Sequence, residues 1–227
     1  MKREIIKTGD GSATIFLPDW NEHYHSKHGA MQEALHVFIQ TGYKHHLTRH
    51  SPESISILEI GFGTGLNALL TFFEAENTRV KVDYTGVEAY PVSAEELAAL
   101  DYAEAVAEQS ASEIFQELHE TGWEKRSEIS PFFSLKKEKK FFSEISANEE
   151  FDLIYFDAFG PRVQPDLWSE EVFRNMYRAL KENGVLVTYS AKGDVRRAMQ
   201  AVGFAVERLQ GPPGKREMLR ATKIERC

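Results

Sequence analysis

The stretch Ile57-Leu58-Glu59-Ile60-Gly61-Phe62-Gly63-Thr64-Gly65-Leu66-Asn67 decides the fold of this 227-residue chain. A short apolar run leads into three glycines at alternate positions, and apolar residues at helical spacing follow at once. This order predicts a β-strand, a tight turn and an α-helix. Glycine is needed where the backbone takes a positive φ or where a ligand approaches main-chain atoms closely. Because the first turn of a helix presents unpaired N–H groups, the stretch predicts a loop that binds a nucleotide-like cofactor.

The spacing of the glycines distinguishes between classes of cofactor loop. A dinucleotide fold has G-x-G-x-x-G, whereas this chain has G-x-G-x-G and carries Leu66 at the third glycine position of the dinucleotide pattern. A phosphate-binding P-loop needs a lysine after its last glycine, and this stretch has none. With the acidic residue Glu59 ahead of the glycines, the pattern resembles the S-adenosylmethionine loop of class I methyltransferases. The alternative is a glycine-rich turn that binds no ligand.

A second acidic residue supports the S-adenosylmethionine interpretation. Residues 80–87 form another strand pattern, and Glu88 follows it, 23 residues after Gly65. A carboxylate at the tip of this second strand can accept hydrogen bonds from both hydroxyl groups of a ribose. We therefore expect the cofactor to lie between the glycine loop and Glu88.

Length and composition limit the classes of function. A chain of 227 residues is long enough for one large α/β domain with a substantial core. No run of eighteen apolar residues occurs, and the N-terminus lacks the apolar centre of a signal peptide, so we expect a cytoplasmic protein without a membrane span. The single cysteine, Cys227, excludes an internal disulfide framework and a cysteine-based zinc site.

Charge is distributed unevenly along the chain. The formal net charge is −8, yet residues 192–227 contain nine Lys or Arg against four acidic residues, a local net charge of +5. A basic C-terminal region on an acidic body can hold a phosphate backbone. The alternative is a solvated charged rim without a partner.

Alternating strand and helix patterns predict a doubly wound, mostly parallel sheet with a C-terminal antiparallel hairpin, the Rossmann-like α/β fold of class I methyltransferases. We expect residues 1–50 to form a short N-terminal extension of a hairpin and a helix, packed on a methyltransferase domain at residues 51–227. We also expect an exposed turn at Lys136–Lys140 and a helix end at Asn183-Gly184. The predicted strands outside the opening stretch are 4–7, 13–17, 80–87, 132–135, 151–157, 185–189, 204–209 and 217–222, and the first predicted helix is 30–47.

Acidic residues fall at the ends of three predicted strands, namely Glu59, Glu88 and Asp157. In open parallel sheets, ligands bind beyond the carboxyl ends of the strands, where the strand order reverses. Asp157 opens the segment Asp-Ala-Phe-Gly-Pro, at the position where class I amine methyltransferases place a polar residue beside the acceptor nitrogen. A carboxylate there favours the positive charge that develops on an attacking amine. Asp157 is therefore the candidate catalytic residue, and an Asp that caps the strand or the next turn is the alternative.

Several further motifs resemble one family. Five sequence elements are Asp157–Pro161, Pro165–Trp168, Val195–Arg197, Gly203-Phe204 and Gly214–Leu219. They resemble, in the same order, elements of the tRNA 5-methylaminomethyl-2-thiouridine methyltransferases. This family comprises MnmD and the methyltransferase domain of MnmC. Glu22–Ser26 is also similar to that family's N-terminal segment, and the similarity covers about residues 20–222. The chain departs from the family pattern in three places. It has Asp-Ala-Phe-Gly-Pro in place of Asp-Gly-Phe-Ala-Pro and His-Tyr-His-Ser in place of Val-Tyr-Phe-Ser. It also lacks a third-strand Gly-Asp pair near residues 139–143, which leaves the adenine contact unassigned.

The resemblance implies an activity and a set of roles. The family transfers a methyl group from S-adenosylmethionine to the primary amine of 5-aminomethyl-(2-thio)uridine, at the wobble position of tRNA. It implies cofactor binding by Glu59, Gly61, Gly63, Gly65, Asn67 and Glu88, and catalysis by Asp157. The substrate-binding candidates are Tyr24, Phe159, Pro161, Trp168, Arg196, Arg197, Lys215 and Arg216. Of these, Tyr24 and Trp168 are candidates for stacking on the uridine, with a place in the core as the alternative, and the four basic residues are candidates for phosphate contacts.

Other partners are not expected. Bifunctional relatives in the family join this domain to a flavin-dependent oxidase, and because this sequence ends before such a domain we expect no flavin. The amine is then expected to come from other enzymes. His23, His25 and His28 lie close together, but no carboxylate pattern completes a metal site, so we expect no metal.

Two other functions stay open from the sequence. A polyamine aminopropyltransferase also has an apolar fourth strand that ends in Asp before a proline-rich loop, but its cofactor loop typically reads Gly-Gly-Gly-Asp-Gly. A non-catalytic subunit that binds the cofactor or RNA is the second alternative, and the presence of both Glu88 and Asp157 argues against it.

Overall fold

The computed structural model describes residues 3–9, 11, 13–24, 29–100, 106 and 108–224. Its strands are β1 (Glu4–Lys7), β2 (Ala13–Leu17), β3 (Glu22–His23), β4 (Ser54–Ile60), β5 (Lys81–Val87), β6 (Arg126–Ser130), β7 (Phe133–Glu138), β8 (Phe151–Phe156), β9 (Leu180–Thr188), β10 (Phe204–Gln210) and β11 (Glu217–Lys223). The α-helices in this part of the chain are α1 (Ala30–Ala34), α2 (His45–His50), α3 (Leu66–Thr78), α4 (Ala94–Ala98), α5 (Ala111–Glu120), α6 (Glu170–Ala179) and α7 (Gly193–Ala201). A π-helix spans Leu35–Lys44, and short 3-10 helices span Phe142–Glu144 and Pro165–Trp168.

Strands β4 to β11 form one sheet in the order β10-β11-β9-β8-β4-β5-β7-β6. Strands β7, β5, β4, β8 and β9 are parallel neighbours, whereas β11 is antiparallel to β9 and β10, and β6 is antiparallel to β7. The chain runs outward from β4 through β5 to β7 and then returns to β8 on the other side of β4. The strand order therefore reverses between β4 and β8, which opens a crevice at their carboxyl ends. The predicted doubly wound sheet and its C-terminal hairpin are confirmed.

Strands β1, β2 and β3 form a small separate antiparallel sheet. The first two occupy the predicted ranges and pair as the predicted hairpin. The sequence does not predict the third strand, Glu22–His23, because a strand of two residues carries no periodic signal.

A continuous helical segment from Ala30 to His50, π-helical in its middle, packs across the large sheet. The ring of Phe38 lies 5.2 Å from the ring of Tyr155 on β8. A side-chain carbon at Gly42 would come within 3.0 Å of Val187 on β9, so glycine lets the helix approach the sheet closely. The helix predicted at residues 30–47 is confirmed and continues to His50.

The predicted exposed turn at Lys136–Lys140 is wrong. Its first three residues belong to β7, whose alternate residues face the core, and Lys137 is 1% exposed. The ammonium group of Lys137 donates to the carbonyl of His119 at 2.8 Å and lies 5.3 Å from the ring centre of Trp123. Burial lowers the pKa of Lys137 to about 8. The alternation of buried and exposed residues was not recognised because the segment is rich in lysine. A long lysine stem can nevertheless lie in the core while its ammonium group reaches a carbonyl at the edge of the core.

The predicted helix end at Asn183-Gly184 is also wrong. Helix α6 ends at Ala179, and β9 begins at Leu180. The pairing of β8 with β9 shifts from Phe151 opposite Leu180 to Leu153 opposite Val185, so residues 181–184 form a bulge within the strand. An Asn-Gly pair suits this bulge because Asn183 has a φ of +62°.

Apolar side chains are buried on both faces of the large sheet. The helical segment 30–50, α3 and α5 cover one face, and α6 and α7 cover the other. Both faces of the parallel strands are therefore shielded from water, which explains the nearly continuous apolar run in β8. None of the helices described has the length and apolar character needed to cross a bilayer.

Candidate active site

A cavity of about 1120 Å³ opens at the carboxyl ends of β4, β5 and β8, where the strand order reverses. Its walls are the glycine loop after β4, the loops that follow β5, β7 and β8, and the small N-terminal sheet. The residues assigned from the sequence that line it are Tyr24, Glu59, Gly61, Gly63, Asn67, Glu88, Asp157 and Phe159. The fold thus brings the candidate cofactor residues and the candidate catalytic residue into one cavity.

The glycine loop carries the chain from β4 into α3 through positive φ angles. These are +88° at Gly61, +51° at Gly63 and +75° at Gly65. The N–H of Gly61 donates to the carbonyl of Val87 at 3.0 Å, which fixes the loop to the end of β5. A side-chain carbon on Gly61 would come within 2.7 Å of the carbonyl oxygen of Asp157. Glycine therefore allows the main chains of the β4 and β8 loops to meet.

Two residues assigned to the cofactor make structural contacts. Gly65 does not line the cavity; it is the N-cap of α3. Glu59 lies at the cavity wall but is only 1% exposed. It accepts hydrogen bonds from the hydroxyl of Tyr84 and the amide of Asn67, both at 2.8 Å. Burial raises the pKa of Glu59 well above its usual range. We infer that Glu59 anchors Asn67 beneath the cavity.

The carboxylate of Glu88 is held in place by backbone donors at the cavity wall. One oxygen accepts from the N–H of Gly63 at 3.1 Å, and the other accepts from the N–H of Tyr90 at 2.9 Å. Each carboxylate oxygen can accept a further hydrogen bond. Glu88 is therefore oriented in advance to receive two hydroxyl donors of a ligand.

The side-chain amide of Asn67 connects Glu59 with Asp157. Its nitrogen donates to a carboxylate oxygen of each, at 2.8 Å and 3.0 Å respectively. Its carbonyl oxygen is buried and has no hydrogen-bond partner among the residues described. Because buried acceptors are normally satisfied, this oxygen is suited to receive an N–H or O–H group of a ligand.

Asp157 has an unusual acidity for a carboxyl group. It is half-buried at the cavity wall, and its pKa is raised from 3.8 to about 7. Burial is the largest cause and the nearby carboxylate of Glu33 adds to it, while the hydrogen bond from Asn67 and the charge of Lys215 act in the opposite direction. A carboxyl group whose pKa lies near neutral pH can both accept and release a proton during turnover.

The raised pKa predicts how stability depends on pH. Between about pH 4 and 7 the unfolded chain ionises Asp157 while the folded chain keeps it protonated, so stability falls as pH rises through this window. The substitution Asp157→Asn removes that loss. At pH 8 we expect the free energy of unfolding of the variant, measured by urea denaturation, to exceed that of wild type by about 2 kcal/mol after allowance for solvent in the cavity. At pH 5 the difference should be smaller.

The exposed Asp166, in the loop after β8, provides the control for this measurement. Asp166→Asn should leave the free energy of unfolding unchanged at both pH values. A difference between Asp157→Asn and wild type that stays constant from pH 5 to pH 8 would show that Asp157 ionises normally.

Aromatic side chains from the N-terminal segment and the loop after β8 form one wall of the cavity. The rings of Trp20 and Tyr24 stand edge-on to Phe159, with centres 5.8 Å and 5.0 Å away. Tyr24 also lies over the glycine loop, because a side-chain carbon on Gly63 would come within 3.3 Å of its ring. The sequence assigned Tyr24 and Phe159 but missed Trp20, whose only signal was its nearness to the Glu22–Ser26 segment. This wall has the flat apolar surfaces on which a base can stack.

Two arginines attach the N-terminal sheet to opposite sides of the cavity. Arg3 donates to the carbonyl of Tyr90 at 3.0 Å and forms an ion pair with Glu96 at 2.9 Å. Arg162, in the loop after β8, forms an ion pair with Glu22 at 3.2 Å. Sequence reasoning did not assign Arg3 because no motif marks it. These contacts join the N-terminal segment to the region after β5 on one side and to the loop after β8 on the other.

The structure places Trp168 and Pro161 away from the cavity surface. Trp168 is 4% exposed, packs against Phe156 and Tyr189, and donates its indole N–H to the carbonyl of Phe159 at 2.7 Å. It therefore supports the wall from the core and does not present a stacking face. Its sequence position could not show this, because a tryptophan at a cavity and one just beneath it have the same local pattern.

The four basic residues assigned to phosphate contacts do not line the cavity either. Arg197 and Arg216 are exposed, and Arg196 is half-buried. Lys215 is different, because its ammonium group contacts the buried carboxylate of Glu33. The arginines are thus placed where a large ligand can reach them, whereas Lys215 is engaged within the protein.

The histidines show no arrangement for a metal in the described ranges. No group of three or more His, Cys, Asp or Glu there could hold an ion. His23 packs its ring against Phe16 at 4.7 Å, and His25 and His28 lie outside the described residues.

Comparisons with known proteins show what the chain is similar to. Residues 133–224 match the family model of S-adenosyl-L-methionine-dependent methyltransferases. Over 236 residues the chain is 30% identical to the tRNA 5-methylaminomethyl-2-thiouridine biosynthesis bifunctional protein MnmC of Hydrogenovibrio crunogenus, covering 96% of this chain and 33% of that protein. The chain thus spans about a third of the length of the curated relatives it matches.

Two solved structures show the same fold. The crystal structure of MnmC2 from Aquifex aeolicus has a TM-score of 0.81 and 24% sequence identity, over 100% of this chain and 73% of that chain. A probable spermidine synthase from Corynebacterium glutamicum has a TM-score of 0.55 and 17% identity, over 99% of this chain and 78% of that chain. The predicted fold, family resemblance, S-adenosyl-L-methionine-dependent methyltransferase class and cofactor are confirmed.

Proposed function

We propose, from the chain's place among the S-adenosyl-L-methionine-dependent methyltransferases, that it methylates the primary amine of 5-aminomethyl-(2-thio)uridine at the wobble position of tRNA. The product is 5-methylaminomethyl-(2-thio)uridine. The observation that carries the proposal is Asp157, a carboxyl group with a pKa of about 7 in the same cavity as the glycine loop and Glu88. The similarity to MnmC proteins, whose names refer to tRNA 5-methylaminomethyl-2-thiouridine biosynthesis, supports tRNA as the substrate.

The residues at the cavity suit S-adenosylmethionine. The cofactor offers hydroxyl donors on its ribose and an ammonium group on its amino-acid part. Glu88 has acceptor positions left for the hydroxyls, and the unpartnered oxygen of Asn67 is an acceptor for an N–H group. The glycine loop lets a ligand approach the main chain closely. When bound, the cofactor supplies an electrophilic methyl group on a positively charged sulfur.

Asp157 is placed to manage the charge of the acceptor amine. An amine attacks through its lone pair and becomes positively charged as its bond to the methyl carbon forms, while the sulfur keeps the electrons of the bond that breaks. The carboxylate of Asp157 stabilises that positive charge and can accept the proton that the nitrogen loses, before passing it to solvent. Asn67 fixes the orientation of this carboxylate through its hydrogen bond at 3.0 Å. A cavity wall of aromatic rings limits water around the reacting atoms.

The acceptor side of the cavity has the properties expected for a flipped-out base. Trp20, Tyr24 and Phe159 offer apolar ring surfaces in the cavity that Asp157 also lines. Arg197 and Arg216 are exposed and can contact a phosphate backbone. Although the chain is acidic in total, residues 192–227 carry a local net charge of +5. This basic region can attract an RNA substrate.

The test is methyl transfer by the purified chain to defined tRNA. The chain is incubated with labelled S-adenosylmethionine and tRNA that carries 5-aminomethyl-(2-thio)uridine, and nucleosides are identified by mass spectrometry. The same tRNA with an unmodified wobble uridine is the control. We expect label only in the 5-methylaminomethyl nucleoside. Cofactor binding without any transfer to the aminomethyl tRNA would contradict the proposal, and aminopropyl transfer from decarboxylated cofactor to putrescine would replace it with the polyamine reaction.

A further inference from the structure

An ion pair lies next to Tyr189, a residue of the cavity wall. The ammonium group of Lys215, in the turn between β10 and β11, contacts the carboxylate of Glu33 on α1. Glu33 is 7% exposed, and the Lys215 side chain is 31% exposed. Lys215 and Glu33 are 182 residues apart in the chain, so only the packing of the helical segment 30–50 against the C-terminal hairpin joins them.

Tyr189 connects this ion pair with the catalytic loop. The Lys215 ammonium lies 3.8 Å from the centre of the Tyr189 ring, a distance at which a cation is attracted to the ring face. The hydroxyl of Tyr189 donates to the carbonyl of Ala158 at 2.8 Å, and Ala158 is the residue directly after Asp157. Tyr189 itself lines the cavity. Tyr189 therefore contacts both the Glu33–Lys215 ion pair and the loop that carries Asp157.

We propose that Glu33 and Lys215 are positioning residues for the reaction at Asp157, because their ion pair on the ring of Tyr189 sets the charge state of that carboxyl group. The inference rests on the proposed methyl transfer for its catalytic meaning. It also reassigns Lys215, which the sequence marked as a phosphate contact, to a task inside the protein.

The charges around Asp157 give the direction of the effect. The groups that face it from neighbouring elements are Glu59 on β4, Asn67 on α3, Tyr84 on β5, Tyr189 after β9, Glu33 on α1 and Lys215 in the hairpin turn. Glu33 raises the pKa of Asp157, and Lys215 lowers it by less. Removal of the Glu33 charge therefore lowers the pKa of Asp157, since the repulsion is lost while the attraction of Lys215 remains.

General-base catalysis explains why an adjusted pKa at Asp157 is useful. A general base works best when its pKa lies near the pH at which the enzyme operates. A weaker base at Asp157 would stay ionised at lower pH but would take the amine proton less readily. The Glu33–Lys215 pair thus adjusts proton affinity at Asp157 without touching the substrate.

The experiment is a titration of the Asp157 carboxyl by NMR, in the whole chain labelled with ¹³C at aspartate carboxyl carbons and without tRNA. Assignment comes from the signal that is missing in Asp157→Asn. We expect Glu33→Gln to move the Asp157 titration to lower pH. The double variant Glu33→Gln/Lys215→Met, which buries no lone charge, should move it in the same direction by less, and Lys215→Arg should leave it in place.

A second readout follows methyl transfer. In Glu33→Gln the acid limb of the pH–rate profile should move to lower pH, so that the ratio of the rate at pH 6 to the rate at pH 8 rises about threefold. Arg174→Met, at an exposed cation on α6, is the control and should leave both the titration and the profile unchanged. An Asp157 titration that does not move in Glu33→Gln or in the double variant would overturn the inference.

The two proposals fail in different ways. If wild type does not methylate aminomethyl tRNA, the proposed function fails, while the NMR titration still decides the electrostatic claim. If methyl transfer occurs and the titration stays fixed, the proposed function stands and the role of Glu33 and Lys215 is rejected.

Discussion

Asp157→Asn is expected to slow methyl transfer to aminomethyl tRNA by about 10²-fold or more while the affinity for S-adenosylmethionine changes little. Asparagine keeps the shape of the side chain and can still accept the hydrogen bond from Asn67. It cannot carry the negative charge that stabilises the developing ammonium, nor accept a proton from it. Single-turnover rates with saturating cofactor measure the chemical step, and calorimetry with S-adenosylhomocysteine measures cofactor binding.

Asp152 supplies a matched control on the same strand. It lies near the other end of β8, where it accepts from the N–H of Ser56 at 2.8 Å and pairs with Lys181 at 2.9 Å. Asp152→Asn should retain methyl transfer within a few-fold of wild type. Equal losses in the two variants would show that Asp157 acts through stability, and an Asp157→Asn variant of normal rate would remove it from the catalytic step.

Glu88→Ala is expected to weaken cofactor binding by about 10²-fold, the second large effect. The substitution removes two charge-assisted hydrogen-bond acceptors, each of which contributes about 1.5–3 kcal/mol when its donor is buried. It also leaves the N–H groups of Gly63 and Tyr90 without their partner, so the glycine loop loses a contact to the end of β5. Calorimetric titration with S-adenosylhomocysteine gives the change in dissociation constant.

Two further variants separate the causes at Glu88. Glu88→Gln keeps one carbonyl acceptor and should bind the cofactor with intermediate affinity. Glu95, an exposed acid on α4, is the control for a general loss of negative charge near the cavity, and Glu95→Gln should bind like wild type. Wild-type affinity in Glu88→Ala would mean that the ribose hydroxyls contact other residues.

Much of the fold was predictable because its signals are local. The strand–glycine–helix order, the hairpin of β1 and β2 and the apolar run of β8 each depend on residues a few positions apart. The predictions failed where the residue types of a segment suggested a structure that the fold does not adopt. Lys137 is buried although its segment is rich in lysine, and Asn183-Gly184 bends a strand although the pair is typical of a turn.

The candidate site was predictable in part for a topological reason. Parallel strands end on the same edge of a sheet, so acids at the carboxyl ends of neighbouring strands lie near one another, and Glu59, Glu88 and Asp157 line one cavity. The order of the strands, and with it which acids share a cavity, depends on crossover connections that no short pattern encodes. Of the aromatic wall, the sequence assigned Tyr24 and Phe159 but not Trp20, because the contact of Trp20 with Phe159 joins the N-terminal segment to the loop after β8.

By itself, the sequence determined that this chain turns through three glycines into a helix and carries acids at three strand ends, because backbone sterics and hydrophobic periodicity act over a few residues. The tertiary structure alone decided what each polar side chain does. It buried Glu59 against Tyr84, placed Trp168 beneath the wall and turned Lys215 toward Glu33. These outcomes depend on desolvation and on charges brought together from distant parts of the chain, and both are properties of the folded molecule.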